Sequence, residues 1–460
     1  MSFMVPLTMF GWIPMVVLLF GMLPPRRAVL AAFLIAWLFL PMAGYKVAML
    51  PAYTKMTAAT LGTLLGILIF DSSRLTAFRP GWIDLPILLW CGARLGASLS
   101  NDYGAYDGFS SVEYQILTWG LPWLYGRLYF SDKEGMKDLA VAIAIGGLVY
   151  VPLCLIEMKM SPRLHLWVYG FYGAQDLVQA KRFGGWRPIV FMQHGLMVGM
   201  WMCMSGLTAW WLWLTGTVKQ FWRIPAPWAT VAILVTAVLC RSFGAIVLLA
   251  VGMATLWIAW KSRRTWALWV VWSFVPLYII LRLSGTWSGA GMVEWSATVG
   301  DNSRAGSLQS RLTSENQFIR AVWHKPLFGF RGWYNTTEYW DKGQWAAVPD
   351  ALWMIELTSG GFTALIGLAL YFLWPAARTW RKFPTRAWQH SAAGPPIGLA
   401  MLITLSMIDN LFNAMLNPIF MLAAGALSGW EWKAIIMPRR VVVRSLTAIP
   451  RPRSAATVNK

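Results

Sequence analysis

Residues 227–260 read PWATVAILVTAVLCRSFGAIVLLAVGMATLWIAW, two apolar runs with a single charge, Arg241, at their join. A membrane crossing needs about 20 mostly apolar residues to cover roughly 30 Å of hydrocarbon, and runs of this kind recur along nearly the whole chain between short polar breaks. Apolar runs of this kind therefore make up most of the chain, and the one charge in this stretch is the first residue that needs a reason. Across 460 residues the chain is 57% hydrophobic and 13% charged, with 31 Trp. Its mean hydropathy is +0.52. That balance excludes an ordinary soluble domain and points to an all-α polytopic bundle.

The net charge of +20 could suggest nucleic acid, so the placement of Lys and Arg decides. Clusters follow apolar runs at Arg26 and Arg27, Arg74 and Arg79, Lys133 and Lys137, Lys219 and Arg223, Lys261 to Arg264, Arg378 to Arg386, and Arg439 to Arg453. This is the positive-inside pattern of a membrane protein, and it leaves no excess that calls for a nucleic-acid partner. Cys91, Cys154, Cys203 and Cys240 lie in or beside apolar runs without ligand-like spacing, so they read as packing residues and not as a zinc site or disulfide framework. The first apolar run leads through Pro24, Pro25, Arg26 and Arg27 straight into a second, which reads as a retained span.

With the basic clusters inside, spans are expected near 4–23, 28–43, 56–72, 82–98, 114–131, 138–156, 189–215, 227–241, 243–260, 266–283, 351–374, 397–411 and 417–430. That gives about 12 or 13 crossings within one membrane domain, residues 1–445, followed by a disordered basic cytoplasmic tail, 446–460. Two long loops are expected outside, 157–188 and 284–350, and the short loop 100–111 reads as a plain connector. The second long loop opens with a low-order Gly/Ser/Trp-rich stretch, Gly285 to Gly306. It then becomes amphipathic: Leu308, Leu312, Phe318, Ile319 and Val322 are spaced like one helix face, with Arg304, Arg311 and Arg320 nearby.

Outside arginines are informative because topology does not ask for them there. Lys181, Arg182 and Arg187 place three cations beside Gly184 and Gly185, a composition suited to a pyrophosphate at headgroup depth. Arg241 sits where a charge is costly unless it faces a cavity or a partner. His194 opens a long apolar span and is either a hydrogen-bonded packing residue or a proton acceptor. Asp350 heads the span after the second loop, as an N-cap or as a carboxylate base. Glu356 falls inside that span and needs a partner, with Arg241 or Arg311 the candidates. No P-loop, GxGxxG, HExxH, GxSxG or DxD phrase occurs, and no His/Asp/Glu cluster has metal-ligand spacing, so neither a cofactor nor a metal is expected.

Three stretches then bring a family into view. Arg182-Phe183-Gly184-Gly185 with Phe191-Met192-Gln193-His194-Gly195 is one, and Cys240-Arg241-Ser242-Phe243-Gly244-Ala245 is another. The third and most specific runs from Ser310-Arg311-Leu312 to Trp323-His324-Lys325-Pro326-Leu327-Phe328-Gly329. Together they resemble the O-antigen ligase and polymerase superfamily, integral-membrane enzymes that transfer glycans from undecaprenyl pyrophosphate. The resemblance implies a metal-independent, inverting membrane glycosyltransferase in a bacterial inner membrane, its site in a cavity facing the periplasm. Arg182, Arg241, Arg311 and Asp350 would be catalytic, and Arg187, His194, Arg304, Trp323, His324 and Glu356 would bind substrate. The implied partners are an undecaprenyl-pyrophosphate-linked glycan donor, a glycan acceptor, the lipid bilayer, and polysaccharide export or chain-length proteins. In the ligases the second loop ends in His-Asn before the next span, whereas counting back from Gly361 finds Asp350 and Ala351. The departure favours a polymerase of O-antigen or exopolysaccharide type over a ligase acting on lipid A-core. A transporter or flippase of lipid-linked glycans is the alternative from another class, although no paired half-repeat is visible.

Overall fold

A backbone surrounded by apolar side chains must close its own hydrogen bonds, and helices do so within one segment. Helix accordingly follows helix in the computed structural model, which describes residues 2–46, 51–174, 180–182, 184–299, 302–340, 348–383, 385, 388 and 391–429. In chain order these are α1 (Met4–Met22), α2 (Pro25–Phe39), α3 (Lys55–Phe70), α4 (Ser72–Thr76), α5 (Leu85–Leu99) and α6 (Gly104–Gln115). Then come α7 (Leu121–Tyr129), α8 (Lys133–Met160), α9 (Leu164–Tyr169), α10 (Gly195–Leu214), α11 (Ala226–Leu239) and α12 (Phe243–Ser262). The last six are α13 (Trp266–Leu283), α14 (Ala290–Val299), α15 (Asn302–Val322), α16 (Leu352–Lys382), α17 (Gly394–Asp409) and α18 (Pro418–Gly429). Strands among the described residues form only two-residue antiparallel hairpins: β1 (Gly44–Tyr45) with β2 (Tyr53–Thr54), β3 (Lys181–Arg182) with β4 (Gly185–Trp186), and β5 (Gln220–Phe221) with β6 (Ile224–Pro225).

Helix starts follow local chemistry. Thr54 and Thr57 form a reciprocal capping box at α3, and the Asp132 carboxylate accepts from Gly135 N–H at 2.6 Å to open α8. Proline at the first turn starts α2, α5 and α11, where its missing N–H costs nothing. Every apolar segment named above falls on a helix. Among the described residues six helices, α1, α8, α10, α12, α13 and α16, are long and apolar enough to cross a membrane, while α3, α11, α17 and α18 are apolar but shorter. The segment near 114–131 is built differently from a plain span: α6 passes through a π-helical turn, Ile116–Gly120, into α7.

Two kinds of helix surface occur. Every residue of α17 is buried, α18 and α10 are buried nearly all round, and these three pack together with α8 at the centre. The outward faces of α1, α11 and α13 are apolar as well, with Leu18, Val235 and Ile280 all more than half exposed. Helices apolar inside and out suit hydrocarbon, not water, as their surroundings.

The second long loop is more ordered than its composition suggests. Within the Gly/Ser/Trp-rich stretch, Ala290 to Val299 form α14, because the run Ala-Gly-Met-Val-Glu-Trp lacks Pro and packs on α15. The amphipathic face forms as expected on α15, where Leu312, Phe318, Ile319 and Val322 are buried. Residues 341–347 of this loop and the tail 446–460 lie outside the described residues.

The phrase Pro326-Leu327-Phe328-Gly329 has a specific structural job. At Gly361 the backbone turns left-handed (φ 64°) and interrupts α16. The freed groups pair with the loop: Phe362 N–H donates to Pro326 C=O at 2.8 Å, Thr363 N–H to Leu327 C=O at 3.2 Å, and Phe330 N–H to Thr358 C=O at 2.7 Å. Gly329 also takes positive φ, and a Cβ there would come within 2.7 Å of the Thr358 oxygen. The expected connector 100–111 completes this clasp. Asn101 donates to Gly329 C=O at 3.0 Å and accepts from Lys325 Nζ at 2.6 Å, and Arg331 stacks on Tyr103 at 4.1 Å while facing Asp107 at 3.5 Å.

Candidate functional site

The first long loop is held by a carboxylate. Glu157, buried near the end of α8, accepts from the N–H groups of Leu164 (2.9 Å), Ile189 (2.8 Å) and Val190 (2.7 Å). Three donors satisfy a charge that would otherwise be costly at that depth. The anchor fixes the segment that carries the β3–β4 hairpin, in which Arg182 pairs with Gly185 and Lys181 with Trp186, and Gly184 supplies the positive φ (68°) of the turn.

Arg241 leaves α11 with φ 55°, in the left-handed region that costs a residue with a Cβ about 1 kcal/mol. This sharp exit sends α12 off at once. The Arg241 side chain crosses to the hairpin and donates to the Arg182 carbonyl at 2.5 Å, while Arg187 donates to the Arg241 carbonyl at 3.0 Å. Glycines make the approach possible: a Cβ on Gly185 would lie 2.4 Å from the Arg241 guanidinium, and one on Gly195 would lie 2.3 Å from Arg187 Cδ. Among the described residues, Arg182 Nε is buried with no hydrogen-bond partner.

These side chains open onto a cavity of about 730 Å³. Lys181, Arg182, Arg187, His194, Arg241 and Arg311 line its polar side. Val247, Leu248 and Val251 of α12, with Val270, Val271 and Phe274 of α13, line its apolar side. Arg311 comes from α15, so the cavity joins both long loops. Guanidinium groups converging beside an apolar wall can hold a phosphorylated headgroup at one end and a hydrocarbon chain at the other.

The remaining candidates are placed elsewhere. Asp350 is not the N-cap of α16: Ala351 holds that position, without a side-chain cap, and the Asp350 carboxylate is 62% exposed with one oxygen 3.6 Å from Arg311 Nε. His194 is the N-cap of α10, its Nδ1 accepting from Leu196 N–H at 3.1 Å. Glu356 pairs with neither Arg241 nor Arg311. It is buried and bound through both oxygens to Arg94 of α5 at 2.7 Å, because α5 and α16 pack together along their lengths. Trp323 rests on Phe362 and His324 stacks on Tyr339 at 4.4 Å, both beside the clasp and off the cavity lining. Arg304 lies on α15, but its side chain falls outside what is described. Among the described residues no group of His, Cys, Asp and Glu could hold a metal ion.

Two cavity residues escaped the reading of the sequence. Asp409, the last residue of α17, and Asn413, in the turn after it, both line the cavity. For Asp409 the signal was the one that singled out Arg241, a charge at the end of an apolar run.

A separate cluster built around Arg282 is buried and off the cavity lining. Arg282, at the end of α13, is 1% exposed and binds Glu315 Oε2 at 2.8 Å, the Leu312 carbonyl at 2.9 Å and Asn316 Oδ1 at 2.9 Å. Tyr278 and Trp353 also donate to the Glu315 carboxylate. Burial pushes this carboxyl above its ordinary range, and Arg282 pulls it back. No family model matches the chain, and no curated protein or solved structure matches it significantly.

Proposed function

We propose that this protein is a polytopic glycosyltransferase of the bacterial inner membrane, a bundle of about 12 or 13 crossings with its cavity open to the periplasm. It transfers a glycan from undecaprenyl pyrophosphate to a hydroxyl of an acceptor sugar, as a polysaccharide polymerase. One observation carries the reading: cations from both long loops converge in a cavity whose other wall is the apolar face of α12 and α13. That pairing fits a lipid with a multiply charged phosphate head. A soluble nucleotide sugar would not need the apolar wall.

Pyrophosphate leaves readily once its developing charge is neutralised, so fixed cations in a site of reduced dielectric would lower the barrier directly. Arg182, Arg187, Arg241 and Arg311 line the cavity and would supply this charge. Displacement at C1 by the acceptor oxygen, on the face opposite the departing pyrophosphate, inverts the anomeric configuration and needs no metal. Deleting the gene and sizing the accumulated lipid-linked glycan tests the reading. Single repeat units on lipid are expected from a polymerase. Full-length chains on lipid would make the protein a ligase, and no accumulation at all would sink the transferase.

A further inference from the structure

Displacement needs a base for the acceptor hydroxyl, and three side chains compete for the role. The Asp350 carboxylate is turned largely to solvent and lies off the cavity lining. His194 uses Nδ1 to cap α10, which puts its ring proton on Nε2; taking a second proton at Nδ1 would break the cap. Asp409 lies on the cavity wall and is 7% exposed.

The surroundings of Asp409 are those of a positioned carboxylate. Asn413 Nδ2 donates to Oδ1 at 2.9 Å, and among the described residues the second oxygen takes no hydrogen bond. The turn that carries Asn413 is itself fixed, because its carbonyl accepts from Leu352 N–H at 3.0 Å at the start of α16. Arg311 lines the same cavity. Capping gives no reason for an acid here, since the C-terminal end of a helix repels negative charge. Burial gives none either.

Resting on the transferase reading, we propose that Asp409 is its base. The free oxygen takes the proton of the acceptor hydroxyl as that oxygen forms its bond to C1 of the donor glycan. The C1–O bond to pyrophosphate breaks, and pyrophosphate departs with the electron pair toward the arginines. The proton then passes to water or to the released pyrophosphate, which restores the carboxylate.

The test uses the full chain in proteoliposomes, with lipid-linked glycan extracted from cells lacking this protein as donor and acceptor, and undecaprenyl pyrophosphate as the binding probe. Asp409→Asn keeps an oxygen for Asn413, so it should bind the probe within about threefold of wild type and transfer roughly 10²–10⁴ times more slowly. Transfer by Asp409→Asn within about threefold of wild type overturns the role of Asp409 and leaves the transferase reading standing. Wild-type protein that neither binds the probe nor transfers glycan overturns both. If Asp409→Asn does not accumulate in the membrane, Asp409→Glu decides. A carboxylate displaced by one methylene should slow transfer at least about tenfold, and full-rate transfer would refute the assignment.

Discussion

Arg282 and Arg241 each end an apolar helix, yet only Arg241 lines the cavity. Arg282 is clasped by the buried Glu315 carboxylate, with Tyr278 and Trp353 closing the other side of that carboxylate. Arg241 donates to the backbone carbonyl of Arg182, and Arg187 to that of Arg241. The Glu315 carboxylate neutralises an arginine held off the cavity lining, whereas the two carbonyls help to fix Arg187 and Arg241 on that lining. The first arrangement ties α13 to α15 and α16. The second aims positive charge at a space large enough for a ligand. Burial separates them as well: Arg282 is buried, whereas Arg241 is half-buried.

Removing one partner from each arrangement should therefore have opposite consequences. Glu315→Ala strands the Arg282 charge and is expected to destabilise the protein by about 3–5 kcal/mol, read as loss of folded protein from the membrane. Arg241→Ala should leave the amount of protein near normal and slow glycan transfer by about 10²–10³, as the loss of one preorganised charge-stabilising donor does. Normal accumulation of Glu315→Ala, or loss of Arg241→Ala from the membrane, would break the distinction.

A finer cut keeps the arginine and moves it. Gly185→Ala places a methyl group 2.4 Å from where the Arg241 guanidinium lies, so the guanidinium must shift. Transfer is expected to fall about tenfold or more with Arg241 still present, which ties the rate to position and not only to charge. Unchanged transfer would mean that the contact with the hairpin is dispensable. The smallest effect is expected at Asp350. Its ion pair with Arg311 is 3.6 Å long and its carboxylate 62% exposed, so Asp350→Asn should alter transfer by less than about tenfold at matched protein amount. A loss of 10² or more would return the role of base to Asp350.

The sequence made the cavity's cations legible because topology could not explain them. The positive-inside pattern leaves Lys181, Arg182, Arg187 and Arg241 unexplained, and all four line one cavity. It did not reveal partners far apart in the chain. Arg94 and Glu356 are separated by 262 positions and meet only because α5 lies along α16. The most specific phrase, Pro326-Leu327-Phe328-Gly329, was legible as a motif, but its place is architectural. It closes the break in α16 at Gly361, and Trp323 and His324 stay with that clasp. Asp409 went unread because an acid ending an apolar run looks like a span boundary, and its significance comes from the cavity it lines with Arg311 and from its bond to Asn413.

If the protein transfers glycans from a lipid carrier, its arginine-lined cavity holds the pyrophosphate of that lipid. Equilibrium binding of undecaprenyl pyrophosphate and of undecaprenol to the purified full chain, wild type and Arg241→Ala, tests it most directly. Wild type should bind the pyrophosphate lipid at least about tenfold more tightly than the uncharged one, since several charge-assisted contacts of about 1.5–3 kcal/mol each are available. Arg241→Ala should lose much of that preference. Equal binding of the two lipids by wild type, or an undiminished preference in Arg241→Ala, would contradict it.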